Sequence, residues 1–262
     1  MTSHDVIGFL RRVLNTKKIG HGGTLDPDAA GVLPVFAGSA TRLLEFAVEG
    51  RKEYIAEFTL GAQTVTGDDS GEVVKTMPVP AFSKQELEAV LAQFTGKQMQ
   101  LPPMYSAIKI NGKKLYQLAR QGVEVERTAR PIEVYKLELL HYTAKSFTVR
   151  VACSKGTYIR TLLEDIAAAM GQKGTMSALR RTAAGLYTEA DAHTLEEILA
   201  AKEQGSAALE ALMLPVESVF TPLPLLVVMF GIPAGCIVGT LKVLLDRIEE
   251  IGKGEEDAYR NY

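Results

Sequence analysis

The chain has 262 residues, 47% of them hydrophobic, enough for one large or two small domains with a substantial core. A net charge of −2 excludes the overall basic field that announces a nucleic-acid partner. Two distant cysteines (Cys153, Cys236) and four histidines without ligand spacing exclude a disulfide framework and a zinc site, and with no signal peptide read, a reducing cytoplasm is expected.

Thr2-Ser3-His4-Asp5 predicts a helix N-cap, followed by Val6, Ile7, Leu10, Val13 and Leu14 at helical spacing. Next comes Gly20-His21-Gly22-Gly23-Thr24-Leu25-Asp26-Pro27-Asp28-Ala29-Ala30-Gly31, four glycines around one carboxylate. Glycine reaches backbone conformations closed to other residues, and Pro27 pushes Asp26 from helical towards extended backbone. A carboxylate fixed on a shaped loop, five residues after a histidine, suits a nucleophile or general base. For these residue types the commoner outcome is a plain turn, with Asp26 capping a helix begun by Pro27. The loop has neither the Walker spacing nor its Lys-Ser/Thr ending, so it is not a phosphate cradle.

Val32 to Ala37 predicts a short buried strand and Ala40 to Val48 a helix. Lys52 to Leu60 alternates, with Tyr54, Ala56, Phe58 and Leu60 on one face, and predicts a strand. Gly61 to Gly71 is polar; its Asp68-Asp69 pair has no third ligand at useful spacing and reads as a solvated turn. Ser83 and Glu86 form a capping box for a helix running to Phe94.

Residues 97–136 carry eight Lys/Arg against three acidic residues. Within them Lys109, Lys113, Lys114, Arg120, Arg127 and Arg130 interleave with Tyr105 and Tyr116. That pattern fits RNA backbone contacts and base stacking, with an ordinary hairpin and helix as the plainer alternative. Ile132 to His141 and Ser146 to Ser154 predict an antiparallel strand pair. Thr157 to Met170 predicts a helix carrying Arg160 in its first turn, where the dipole opposes a cation; a carboxylate or phosphate is expected opposite it. Met176 to Thr182 begins another short element. Glu196 to Ala201 and Ala207 to Leu212 predict helices in an acidic stretch, since residues 182–262 carry thirteen Asp/Glu against five Lys/Arg. Leu223 to Leu245 is mostly apolar and about long enough to span a bilayer, but contains Pro224, Pro233 and Lys242. A buried strand pair or a reading-frame artefact both fit it, and a membrane span is the weaker reading.

The Asp26 loop, with Ala30-Gly31-Val32-Leu33-Pro34 after it, resembles the catalytic motif of the bacterial tRNA pseudouridine synthase B family. Four more stretches match that family in order. Lys52-Glu53-Tyr54 is similar to its tyrosine motif, and Leu101-Pro102-Pro103-Met104-Tyr105-Ser106-Ala107-Ile108-Lys109 to its RNA-clasping insertion. Ser154-Lys155-Gly156-Thr157-Tyr158-Ile159-Arg160 is similar to its arginine motif, and Ser177-Ala178-Leu179-Arg180-Arg181-Thr182 to its leucine motif. The resemblance runs from Met1 to about Phe220. Relatives have a strand and a Lys-Pro-x-Gly turn before the first helix, so a truncated N-terminus is expected.

The resemblance implies a mixed α/β catalytic core around a mostly antiparallel sheet. The expected domain spans residues 1–220, with an RNA-gripping insertion at 97–136 and an atypical segment at 221–262. The implied reaction is isomerisation of a uridine in the T-loop of tRNA, by base flipping and an essential aspartate, with no cofactor. The implied partner is the tRNA T-arm, met by a cytoplasmic monomer without membrane attachment. Asp26 would be the nucleophile or base; Arg160 would keep it ionised against the effect of burial. Tyr54 would stack on the base, Tyr158 and Leu179 would line the pocket, and His21 would sit where the base leaves the stack. Lys109 would meet the RNA. A non-catalytic tRNA-binding or folding module is the alternative, and intact Asp26, Tyr54 and Arg160 argue against it.

Overall fold

In the computed structural model, which describes residues 1–44, 50–110 and 112–212 and the strand backbones at 225–230 and 237–239, the chain divides into two units. One comprises residues 1–50 and 181–262, the other 51–180. The architecture is mixed α/β.

The first unit opens with α1 (Ser3–Val13), capped by Thr2 and Asp5 in a reciprocal capping box. Its apolar stripe buries Val6, Ile7, Leu10 and Val13. Strand β1 (Ile19–His21) then pairs with β2 (Ala30–Ala37), His21 lying opposite Val35. Pro27 starts no helix, which corrects the capping expectation for Asp26. The Asp26 carbonyl accepts the Ala29 N–H at 3.0 Å, closing a turn that feeds directly into β2. The reason lies downstream: all six residues from Gly31 to Phe36 are buried, and a strand buried on both faces outweighs a local helix signal. Gly38 to Leu43 forms a 3-10 turn rather than the start of an α-helix, with the Thr41 hydroxyl donating to the Gly38 carbonyl at 2.9 Å. The rest of the helix expected over Ala40 to Val48 lies largely outside the described residues.

The second unit begins with β3 (Lys52–Leu60), whose Tyr54, Ala56, Phe58 and Leu60 are buried in the expected alternation. A small hairpin of β4 (Ala62–Thr64) and β5 (Val73–Thr76) follows, then α2 (Lys84–Gln93) with its Ser83/Glu86 capping box. Strand β6 (Gly96–Gln100) leads into the basic insertion. There β7 (Lys109–Ile110) and β8 (Lys113–Lys114) pair, and the short helix α3 (Leu115–Ala119) follows. The expected strand pair is present as β9 (Arg130–Tyr142) and β10 (Ser146–Cys153), and α4 (Ile159–Ala169) follows it. The expectation of a short element over Met176 to Thr182 is exceeded by β11 (Gly174–Ala184), an eleven-residue strand. Gly174 permits it, because a Cβ there would run into the Phe58 ring and the Thr59 carbonyl. The strand order in this unit is β11-β3-β10-β9-β6. Its core is built on Phe58 against Phe147, ring centroids 5.6 Å apart, with Val149, Val151, Leu162, Leu163 and Ile166 fully buried.

The first unit is completed by the end of β11, by β12 (Tyr187–Thr188), and by α5 (Leu195–Gln204) and α6 (Ser206–Ala211). Ala184 packs with Val32, Phe36 and Ala40. Strand β13 (Leu225–Phe230) pairs with β2 from Leu225 opposite Phe36 to Phe230 opposite Gly31, and β14 (Ile237–Gly239) pairs with β13. The strand pairs β1–β2, β3–β10, β9–β10, β6–β9, β2–β13 and β13–β14 are antiparallel. Within Leu223 to Leu245 the described backbone is thus a strand pair, and the remainder of that stretch lies outside the described residues. Among the described residues no helix is long and apolar enough to cross a membrane.

Candidate active site

The sequence-predicted site residues fall in both units. In the first unit Asp26 and His21 share the loop between β1 and β2, and that loop is held from several sides. The Gly22 N–H donates to the Pro34 carbonyl at 2.7 Å, and Gly23 takes a φ of +94°, in the left-handed region that glycine alone enters cheaply. Ser3 stands in the first turn of α1, where Thr2 already supplies the cap. Its hydroxyl is therefore free to donate to the Leu25 carbonyl at 3.2 Å and accept the Leu25 N–H at 3.0 Å. Arg181, 1% exposed, donates from Nε to the Val32 carbonyl at 2.8 Å and from Nη2 to the Gly23 carbonyl at 3.0 Å. Gly31, at φ +108°, lets β2 lie against the Arg181 main chain, which any Cβ would strike. Asp26 is half-buried on this loop. The His21 imidazole is pushed below its ordinary pKa, first by burial and then by the charges of Arg181 and His4, and its buried Nδ1 has no hydrogen-bond partner. It is thereby held neutral.

In the second unit Arg160, 5% exposed, stands in the first turn of α4. Its Nη1 donates to the Thr66 carbonyl at 2.7 Å and its Nη2 to the Tyr105 carbonyl at 2.9 Å. Nη1 also lies 3.7 Å from Asp68 Oδ2. A carboxylate was expected opposite this cation, and within the unit Asp68 supplies one. This corrects the reading of a solvated turn for Asp68, whose side chain is only 16% exposed, while Asp69 and Ser70 do form an exposed turn. Its Oδ1 accepts the Thr66 hydroxyl at 2.6 Å and the Ser70 N–H at 3.1 Å. The segment is docked further by Asp69 N–H to the Met176 carbonyl and Met176 N–H to the Gly67 carbonyl. Desolvated and hydrogen-bonded on several sides, the guanidinium has a fixed aim.

The remaining residues are spread through the second unit. Tyr54 is buried on β3 opposite Val151, and Leu179 is buried on β11. Tyr158 caps α4 with its backbone. Lys109 is exposed on β7, directly opposite Lys114, with Lys113 beside it. Like charges facing across a hairpin destabilise it unless an anion intervenes. Lys114 and Arg120 also approach the Tyr116 ring, at 5.6 and 5.5 Å from its centroid. Sequence reasoning missed Ser3, Asp68 and Gln100 and gave Arg181 no role. Among the described residues no group of three or more His, Cys, Asp or Glu is placed to hold a metal ion.

The family model described as TruB family pseudouridylate synthase (N terminal domain) matches residues 11–159, and that of the tRNA pseudouridylate synthase B C-terminal domain matches residues 160–221. The chain is 48% identical over 217 residues to tRNA pseudouridine synthase B of Alkaliphilus oremlandii, covering 83% of this chain and 71% of that protein. It is 49% identical over 217 residues to the tRNA pseudouridine synthase B of Heliobacterium modesticaldum, covering 81% and 71%. Among solved structures it is similar to a chain of a Cbf5-Nop10-Gar1 complex, at TM-score 0.62 and 30% identity. It is also similar to a chain of an H/ACA RNP bound to a substrate RNA containing 2'-deoxyuridine, at TM-score 0.59 and 27% identity. In both, 80% of this chain matches, and it spans 55% and 54% of those chains. With both family models end to end over residues 11–221, and a relative at 48% identity across most of both chains, the chain belongs to the tRNA pseudouridine synthase B family.

Proposed function

We propose that this chain isomerises a uridine in the T-loop of tRNA to pseudouridine, acting as a cytoplasmic monomer on the T-arm stem-loop. The reaction breaks the bond from C1′ to N1, turns the uracil, and joins C5 to C1′. Nothing is oxidised or reduced, so the chemistry asks for no redox cofactor. Asp26 is the essential carboxylate, adding to uracil C6 or drawing a proton from the ribose. Arg160 supplies the cation that keeps a partly desolvated carboxylate ionised. Tyr54 stacks on the flipped base, Tyr158 and Leu179 line its pocket, and His21 sits where the base leaves the RNA stack. A neutral imidazole suits that place, since it offers a ring face and a hydrogen bond without a competing charge. Lys109 and its neighbours hold phosphates. Residues 1–220 form the catalytic domain, 97–136 its RNA-gripping insertion, and 221–262 lie outside it.

The observation that supports this reading best is the bracing of the Asp26 loop by Ser3 and Arg181, neither of which a plain surface turn requires. Incubating the protein with T-arm RNA and detecting pseudouridine by base-specific chemical labelling and mass spectrometry tests it. Binding without any pseudouridine would favour the non-catalytic tRNA-binding module instead.

A further inference from the structure

We infer that Gln100 is a positioning residue for Arg160, acting through the backbone of Tyr158, and that it ties the aim of that guanidinium to the root of the basic insertion. The inference rests on the role of Arg160 proposed above. Gln100 is the last residue of β6, where the ladder with β9 ends opposite Arg130. Pro102 and Pro103 follow, and proline has no N–H with which to continue a ladder. The Gln100 side chain, on a residue 3% exposed, turns instead to the backbone of Tyr158, which lies outside β9. Its Oε1 accepts the Tyr158 N–H at 2.8 Å and its Nε2 donates to the Tyr158 carbonyl at 3.0 Å. A primary amide carries donor and acceptor side by side, as a peptide group does, so this side chain meets both main-chain groups of Tyr158.

Tyr158 is where α4 starts, and it has no side-chain cap of its own. Its carbonyl also accepts the Leu162 N–H at 3.0 Å, the first turn's hydrogen bond. Gln100 therefore grips the helix two residues before Arg160. Five residues beyond Gln100, the Tyr105 carbonyl accepts Arg160 Nη2 at 2.9 Å. Residues 100–105 thus touch the start of α4 at two points, one on the backbone and one on the guanidinium itself. The insertion is rooted in the same segment. The Ser106 carbonyl accepts the Tyr116 N–H at 3.1 Å, and Arg127 Nη1 donates to the Pro102 carbonyl at 3.0 Å. Lys109, Lys113 and Lys114 thus stand on an insertion rooted in the segment that fixes Arg160.

The test is a double-mutant cycle on the full chain with T-arm RNA, enzyme in excess so that slow variants stay measurable. Gln100→Met keeps the volume and removes both hydrogen bonds. Its isomerisation rate at saturating RNA is expected to fall about tenfold or more, as for a misplaced catalytic group, with the RNA Kd within about twofold and cooperative melting retained. In the Arg160→Lys background the same change is expected to cost less than about threefold, because the aim it protects is already lost. If Gln100→Met fails to melt cooperatively, Gln100→Asn, whose amide falls one carbon short, takes its place in the cycle. An equal loss in both backgrounds, or none in either, overturns the inference while an active unchanged chain leaves the catalytic reading standing. An unchanged chain that makes no pseudouridine overturns both.

Discussion

Ser3 and Leu25, 22 residues apart, are joined twice: one hydroxyl accepts the Leu25 N–H and donates to the Leu25 carbonyl. Leu25 precedes Asp26, so the first turn of α1 sets the position of the candidate catalytic carboxylate. Ser3→Ala leaves both Leu25 main-chain groups buried without that partner. The expected loss is about 1–3 kcal/mol of stability. In a chain of this size that is roughly 2–4 °C in Tm per kcal/mol, read from a melting curve. Isomerisation should fall further than RNA affinity, since the loop is loosened while the phosphate contacts are untouched. An unchanged Tm would show that the hydroxyl adds nothing to the loop.

The β7–β8 hairpin sets Lys109 against Lys114, with Lys113 adjacent. Replacing all three by Ala should weaken T-arm binding and flatten its salt dependence by about 0.7 units of slope per lost contact if the RNA is single-stranded there. The variant should melt no lower than the unchanged chain, because like charges facing each other have been removed. Salt titrations of binding check the first point and melting checks the second. An unchanged slope would mean that these lysines only solvate the surface.

His21 makes stability depend on pH in a definite direction. Its folded-state pKa lies below the ordinary 6.5, through burial and then Arg181. The unfolded chain therefore binds more protons in the window just below that value, so stability is intact above about pH 6.5 and falls as pH drops towards the folded value. Glu164 works the other way: burial raises its carboxyl, so its contribution is held at low pH and lost as pH rises through the raised value. His21→Gln removes only the first effect. Tm plotted against pH should flatten in the window just below about pH 6.5, and an unaltered slope there would assign it to other groups.

Local pattern made most elements legible. The alternation of Lys52 to Leu60, the boxes at Thr2/Asp5 and Ser83/Glu86, and the helix holding Arg160 all depend on neighbours within a few residues. The polar ties that shape the site do not. Gln100 and Tyr158 are 58 residues apart, and Arg181 and Gly23 are 158 apart. Asp68 sits in Asp-Asp-Ser-Gly, a run that reads as a turn, and only the fold brings it to Arg160. The 3-10 turn after β2 was missed for a different reason: helical and 3-10 spacing differ little over six residues.

The boundary at residue 220 also carries a prediction. A chain ending at Phe220 lacks β13, which leaves the Gly31 to Phe36 edge of β2 without its partner. If residues 1–220 are the catalytic domain, that chain should fold and isomerise T-arm RNA in dilute solution. An unpaired edge should show itself as concentration-dependent association in sedimentation or light scattering. Failure to fold at any concentration would move the domain's end beyond Phe230.

Asp26 and Arg160 carry the enzymatic reading. Asp26→Asn keeps the size of the side chain and part of its hydrogen bonding, but removes both nucleophile and base. Isomerisation should become undetectable while T-arm RNA still binds, because phosphate contacts elsewhere supply most of the affinity. Arg160→Lys keeps the charge but loses the planar fork that donates from Nη1 to Thr66 and from Nη2 to Tyr105. A single ammonium cannot serve both carbonyls and Asp68 with the same aim, so a loss of about a hundredfold or more in rate is expected. Asp68→Asn removes the carboxylate beside that cation and should slow the reaction without weakening RNA binding. Single-turnover rates and binding curves on the same preparations separate these outcomes. Near-normal turnover by Asp26→Asn would make the carboxylate a turn residue after all. Loss of RNA binding together with turnover would point to a folding defect, and circular dichroism with a melting curve on the same variant would decide.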